Sequence, residues 1–320
     1  MRTLSALKIR SLNHLYVQLG TSAGEIAGIL DNPEKHHRLK TIEKKGKRRN
    51  LKIPVGRLKT ILRKLNGLLQ RTEMPNYIEG GRRGHDIRTN ARRHVNKPVV
   101  LTGDIKDCFP SISNRRVYGV FVRRLECSPD VASVLTKLTT IDGSLPKGSP
   151  TSSIITALAT ENFAKRLKGL ADKHDAGASI YVDDSSISGP RHISRLAGLV
   201  KKIGRQEGFE IHKVKSMTGD EEQVVTGIRV NRGFDAPTAK MADVRKQIEQ
   251  ITSSYKGTAL ERSVRGKVQY LSGLNPGAGN SLRKRLEKRL KEVAASAAPV
   301  DGGARNGKKG SSGTTAIPAG

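Results

Sequence analysis

Two short apolar runs in this chain each end on acid. Val99-Val100-Leu101 leads into Asp104, and Ile180-Tyr181-Val182 leads into Asp183-Asp184 before apolar character resumes at Ile187. β-branched runs of this length read as strands, the second as two strands around a tight turn. Laid side by side in one sheet, they would bring three carboxylates to one spot. Such a trio cannot stay fully ionised without a compensating cation. Two Mg²⁺ ions would meet that need, activating a 3′-hydroxyl and steadying a phosphate under attack. A bare Asp-Asp pair is also what an ordinary turn uses, so the surroundings decide.

The surroundings are strongly basic. The 320 residues carry 59 Lys and Arg against 29 Asp and Glu, a surplus of 30. Lys35 to Arg71 holds 14 basic residues against Glu43 alone, Arg82 to Lys97 six against Asp86, and Lys256 to Glu292 ten against three. The acidic segments therefore sit in a nearly balanced middle, flanked by cationic stretches suited to a nucleic-acid backbone. Aromatic residues make up 3% with no Trp, so recognition through backbone and shape is expected rather than base stacking on a broad platform. Two cysteines, Cys108 and Cys127, exclude a disulfide framework, and no Cys/His spacing suits zinc. The chain reads as cytoplasmic and reduced, its first residues as an ordinary helix rather than a targeting peptide, and no stretch is apolar enough to span a bilayer.

Leu12, Leu15, Tyr16 and Leu19 before Gly20 predict a helix with its C-cap, and Ser22 to Glu25 has the spacing of a capping box. Lys44 to Pro54 reads as a basic hairpin around Gly46, and Leu58, Ile61, Leu62, Leu65 and Leu69 as a helix stripe after it. Ala159, Phe163, Leu167 and Leu170 predict a helix behind the loop Pro146 to Pro150, and Val224-Val225 with Ile228 a strand pair. Leu282, Leu286, Leu290 and Val293 predict a basic amphipathic helix, and the Ala/Gly/Ser/Pro-rich stretch from 294 a disordered tail.

Tyr181-Val182-Asp183-Asp184, preceded by Leu101 to Ile112 and by Leu145-Pro146-Lys147-Gly148-Ser149-Pro150-Thr151-Ser152-Ser153, resembles the palm motifs of reverse transcriptases in order and spacing. Asn90-Ala91-Arg92-Arg93-His94 and Val225-Thr226-Gly227 resemble the two signatures distinctive of bacterial retron reverse transcriptases. Gly46 to Pro54 is similar to their fingers hairpin, and Lys215-Ser216 to their Lys-Thr. The resemblance implies an α+β right-hand polymerase with an antiparallel palm sheet and a helical thumb. Its parts would be an N-terminal helical segment (1–34), fingers (35–98), palm (99–235, with a fingers portion around 112–145) and thumb (236–293), then the tail (294–320).

Residue by residue, the resemblance implies Asp104, Asp183 and Asp184 as catalytic metal ligands for two Mg²⁺. It implies Lys47, Arg49, Ile105, Phe109, Lys147, Gly148 and Lys215 around the incoming dNTP. Phe109 would stand as a wall against the sugar 2′-hydroxyl, Arg49 and Lys47 would clamp phosphates, and Lys215 would help the leaving pyrophosphate. Asn90, His94, Val225, Thr226 and Gly227, with Arg283, Lys284 and Lys288 of the thumb, would handle RNA. On the residues alone, His94 and Asn90 also suit a shared structural helix face, and Val225 to Gly227 an ordinary strand turn. Lys147 and Ser153 depart from the family's usual Gln and Pro, which puts fidelity and dNTP affinity in question.

The implied activity is copying of a structured noncoding RNA, both template and primer, into a branched or RNA-linked single-stranded DNA. The partners would be that RNA, the RNA–DNA hybrid and an accessory effector protein, with a role in bacterial anti-phage defence. Two rival readings use the same residues: another bacterial reverse transcriptase, group-II-like or diversity-generating, and an RNA-binding protein that keeps the fold without catalysis. Retention of all three aspartates argues against the second.

Overall fold

A computed structural model describes residues 4–44, 47–231, 233–252 and 257–296, the side chains of Lys44, Lys47 and Arg49 excepted. It divides into two compact units, one up to Met241 and the other from Ala242.

The first unit opens with α1 (Leu12–Leu19), closed by Gly20 in the left-handed region at φ 57° as its cap spacing predicts. In α2 (Ala23–Asp31), Ser22 Oγ accepts from the Glu25 amide at 3.2 Å. The Glu25 carboxylate accepts from Arg57 and the Thr21 hydroxyl as well as from the Ser22 backbone. The basic hairpin is longer than its weak alternation suggests. Strands β1 (His37–Lys44) and β2 (Lys47–Pro54) pair antiparallel from His37 opposite Pro54, and the tip at 45–46 lies outside the described residues. Helix α3 (Gly56–Leu69) buries the whole predicted stripe, Leu58, Ile61, Leu62, Leu65 and Leu69.

Next come α4 (Ile87–Arg92), β3 (Val99–Ile105), α5 (Cys108–Ser111), α6 (Asn114–Gly119) with a π-helical turn over Val120–Arg124, and α7 (Pro129–Thr139). The single helix expected through Ala159 and Leu170 is two, α8 (Ser152–Ala159) and α9 (Glu161–Asp172). They separate at Thr160, whose hydroxyl donates back to Thr156 O at 2.9 Å, a bond that competes with a straight helix. Strands β4 (Gly177–Tyr181) and β5 (Asp184–Gly189) follow, then α10 (Ala197–Gln206), β6 (Ile211–Thr218) and the short pair β7 (Val224–Val225) and β8 (Ile228–Arg229).

The fold class is α+β, and the antiparallel sheet implied for the palm has the order β4-β5-β3-β6. Helix α9 packs on β4 and α10 on β6. Fully buried Phe121, Phe163 and Leu101 belong to the core cluster under the sheet. Burial of this size supplies the main stabilisation, each large apolar side chain contributing about 1.5–3 kcal/mol. Gly103 lets β3, β5 and β6 close up beside Asp104, because a Cβ there would lie 2.9 Å from Ile211 Cγ2 and 3.3 Å from Ser185 Oγ.

Helix α11 (Thr238–Glu249) crosses the boundary between the units, and α12 (Ala259–Leu274) and α13 (Pro276–Ser296) form the rest of the second. Leu282, Leu286 and Val293 of α13 are buried as predicted. The helix runs to Ser296, three residues into the predicted tail, and 297–320 lie outside the described residues.

Candidate active site

Strand register brings the acids together. Asp104 stands opposite Asp184 in the β3–β5 ladder, and the Ile105 amide donates to Asp183 O at 2.8 Å, tying the end of β3 to the β4–β5 turn. That turn is a two-residue loop, Val182-Asp183, closed by the Tyr181–Asp184 pair. Val182 has φ 59°, a conformation that costs a β-branched residue roughly 1–3 kcal/mol.

A segment with no strand periodicity restrains the loop. Ile180 donates to Tyr77 O at 2.9 Å and accepts from the amides of Glu79 (2.8 Å) and Gly80 (3.2 Å). A Cβ on Gly80 would collide with the Val182 backbone nitrogen and lie 2.8 Å from Tyr181 C. Glu79, 1% exposed, anchors the segment: its carboxylate accepts from Thr89 at 2.7 Å, meets His85 Nδ1 at 2.7 Å and pairs with Arg93. Burial pushes its pKa up, but the bonds from His85, Thr89 and Arg93 outweigh it and hold the group below its ordinary value. The sequence reading missed Glu79 and Gly80; the Glu-Gly-Gly triplet was the only signal.

Asp183 and Asp184 line a cavity of about 450 Å³ together with Thr102, Phe109, Ser153, Thr226 and Gly227, a size suited to a small organic ligand. Among the described residues, no three His, Cys, Asp or Glu side chains gather closely enough to form a metal cluster. Asp104 Oδ2 accepts from Lys213 Nζ at 3.0 Å, with His212 Nε2 3.6 Å away. The donor chemistry nevertheless suits a hard divalent cation, which prefers carboxylate oxygens. Burial, then the charges of Asp183 and Asp104, pushes Asp184 up to about 7, with Lys213 acting in the opposite direction.

Several expected contacts fall elsewhere. Ile105 is buried and its amide is committed to Asp183 O, so it joins the two acidic segments and has no N–H left for a triphosphate. Lys215 stands opposite Thr102, with Nζ 3.8 Å from Glu221, while a bulge in β6 turns Lys213 (φ 50°) onto Asp104. Lys147 is half-buried and Gly148 takes φ 102° against Ile53 of β2; neither lines the cavity. The side chains of Lys47 and Arg49 lie outside the described residues. Burial, then the Asp183 and Asp104 charges, pushes the Cys108 thiol up to about 12, leaving a neutral packing group.

Asn90, His94 and Val225 are buried and offer RNA no surface. The first two form a directed relay instead. Ser179 Oγ donates to Asn90 Oδ1 at 2.7 Å, so His94 Nε2, 2.8 Å away, donates to Ser179, and His94 Nδ1 accepts from Ser188 at 2.7 Å. Burial, then the Arg93 charge, lowers the His94 pKa to about 4, which keeps this tautomer neutral. Asn90 Nδ2 donates onward to Thr226 Oγ1 at 3.3 Å, and Thr226 donates to Ile87 O at 3.2 Å. The relay thus ends on the β7–β8 loop, where Thr226 (φ 46°) and Gly227 (φ 78°) face the carboxylate cavity. On α13, Arg283, Lys284 and Lys288 are exposed, whereas Arg285 pairs with Glu249 and Arg289 donates to Ile251 O within the second unit.

No family model matches the chain. It is 28% identical over 264 residues to the retron Mx65 reverse transcriptase of Myxococcus xanthus, covering 75% of this chain and 62% of the relative. With the retron Mx162 reverse transcriptase of the same organism it shares 30% over 302 residues, 81% of this chain and 61% of that one. Against the retron Ec86 reverse transcriptase of Escherichia coli the figures are 26% over 244 residues, 73% and 75%. The chain spans about three fifths of the length of the Myxococcus relatives. A solved telomerase from Candida albicans, in complex with a TWJ fragment of telomeric RNA, overlays at a TM-score of 0.44 and 9% identity over 85% of this chain and 62% of that one, too loosely to argue from. Along most of its own length, this chain is similar in sequence to the retron reverse transcriptases.

Proposed function

We propose that the chain is an RNA-directed DNA polymerase of retron type. The observation that carries this reading is the register that sets Asp104 against Asp184 and bonds Ile105 to Asp183, so that two distant segments bring acids together at one end of the sheet, beside the cavity that Asp183 and Asp184 line. Asp104, Asp183 and Asp184 would hold two Mg²⁺, which when bound supply Lewis-acid stabilisation of the phosphate and a more acidic 3′-hydroxyl. Lys213, which pairs with Asp104 here, would supply an ammonium to the triphosphate when that carboxylate holds metal. Phe109 walls the cavity where a ribose would sit and disfavours a 2′-hydroxyl by bulk. Lys47 and Arg49 complete the proposed dNTP surroundings, with Lys147, Gly148 and Lys215 not among the residues that line the cavity, and Asn90 and His94 act indirectly by fixing Thr226.

The parts of a right hand are proposed on the same basis. The hairpin and α3 serve as fingers, the four-stranded sheet as palm, and the second unit as a thumb whose Arg283, Lys284 and Lys288 meet duplex phosphates. The likeness to retron enzymes supports a structured noncoding RNA as template and primer, a branched or RNA-linked DNA product, an accessory effector, a cytoplasmic setting and a defence role. No described helix is long and apolar enough to cross a membrane.

The test is extension of oligo(dT) on poly(rA) with dTTP and Mg²⁺. Asp183→Asn should cut synthesis by at least about 10³-fold while RNA affinity stays within about twofold; unchanged synthesis would remove the metal assignment.

A further inference from the structure

A concavity of about 1010 Å³ in the first unit shares no lining residue with the carboxylate cavity. It lies between α6 with its π-helical turn, α9, and the segment around Tyr77, in the stretch that looks balanced by sequence arithmetic. Folding changes that balance locally. Arg115, Arg116, Arg123, Arg124 and Lys165 all line the groove, against Glu161 and Glu207.

The five cations divide into two classes. Arg124 is pinned, donating to Glu161 at 2.6 Å, Ser5 O at 2.7 Å and Glu73 O at 2.5 Å. Arg116 is pinned too, donating to Glu207 O at 2.7 Å with its guanidinium 4.2 Å from the Phe209 ring centroid. Arg115, Arg123 and Lys165 are exposed and have no ion-pair partner among the described residues. Arg123 is nevertheless placed: its guanidinium lies over Gly119, where a Cβ would collide with it. The residue sits in the π-helical turn, a device common at functional sites. Half-buried Tyr77 adds an aromatic wall to the same groove.

We infer that this groove binds a single-stranded polynucleotide through its phosphates, at a site separate from the carboxylate cavity. A concave track with unneutralised cations and one ring suits a flexible strand, whose backbone can follow the charges while a base meets the ring. Both single-stranded RNA and single-stranded DNA carry that chemistry.

The experiment uses the full chain without dNTPs, so its outcome is independent of catalysis. Fluorescence anisotropy is measured with 12-nucleotide RNA and DNA of one sequence across a salt series. Arg115→Ala/Arg123→Ala/Lys165→Ala is compared with Arg195→Ala/Lys201→Ala/Lys202→Ala, which removes as many exposed charges elsewhere. The groove triple should weaken binding about tenfold more than the control and make the log–log salt slope shallower by about 2, the value for three lost phosphate contacts to a single strand. Gly119→Ala, which keeps every charge but displaces Arg123, should give a smaller loss in the same direction. A loss confined to RNA, or common to both strands, supports the site and names its occupant. Equal losses in the two triples, or binding untouched in the groove triple, would overturn it and leave the groove to an acidic protein surface.

Discussion

Val182-Asp183 and Thr226-Gly227 are both two-residue hairpin loops facing the carboxylate cavity, and both place a β-branched residue in the left-handed region. They are restrained by different means. Thr226 is held by directional bonds, accepting from Asn90 and donating to Ile87 O, at the end of a relay that begins on Ser188. Val182 has an apolar side chain and is held sterically, by a glycine whose missing Cβ leaves room for the loop's own backbone. A polar restraint loosens bond by bond. A steric one fails at once when the space is filled, so the loop that presents Asp183 and Asp184 should be the less tolerant of the two.

The comparison breaks most visibly at Gly80. Gly80→Ala must move the Val182 loop, and primer extension should fall by about 100-fold or more, since displacing a catalytic group by about 1 Å has an effect of that size. Activity near the parent level would mean that the steric restraint is dispensable. The polar side should respond to acid. His94 titrates near 4 when folded and near 6.5 when free, so its contribution is complete above pH 6.5 and lost as pH falls through 4, a loss of roughly 3 kcal/mol. Urea unfolding at pH 7 and pH 4 should show His94→Gln losing less across that window than the parent; equal slopes would remove His94 as the origin.

Thr226→Val keeps the shape but leaves Asn90 Nδ2 without its acceptor, and should lower stability by about 1–3 kcal/mol. Calorimetry would detect it as a fall in Tm, and no fall would make the relay ornamental. Gly227→Ala should matter least. Nothing lies within 4 Å of the added Cβ, so only the φ of 78° is penalised, at about 1 kcal/mol. A larger effect would show that this loop too is sterically closed.

What could be read in the sequence follows the same division. Strand β3, the β4–β5 turn and the α3 stripe were legible because each is written in consecutive residues of one period. Strand β6 was not, because the bulge at Lys213 leaves Ile211 and Met217 buried but Lys213 and Lys215 exposed at the same parity. That bulge also decides which lysine meets Asp104. Asn90 and His94 were recognisable as a pair, but only tertiary structure shows both ring nitrogens satisfied inside the protein. Gly80 carries no side chain for a pattern to register, and Arg115, Arg123 and Lys165 come together from two helices separated by roughly forty residues.

The ladder that faces Asp104 with Asp184 has a consequence for how such a chain can change over time. Side chains alternate across a sheet, so deleting or inserting one residue within β3 or β5 would rotate an acid to the opposite side and bring a neighbour such as Gly103 or Ser185 in its place. A point substitution within these strands leaves the register in place, whereas a change of length does not. Diversification of this lineage should therefore fall in the loops, with the spacing within both strands left unaltered.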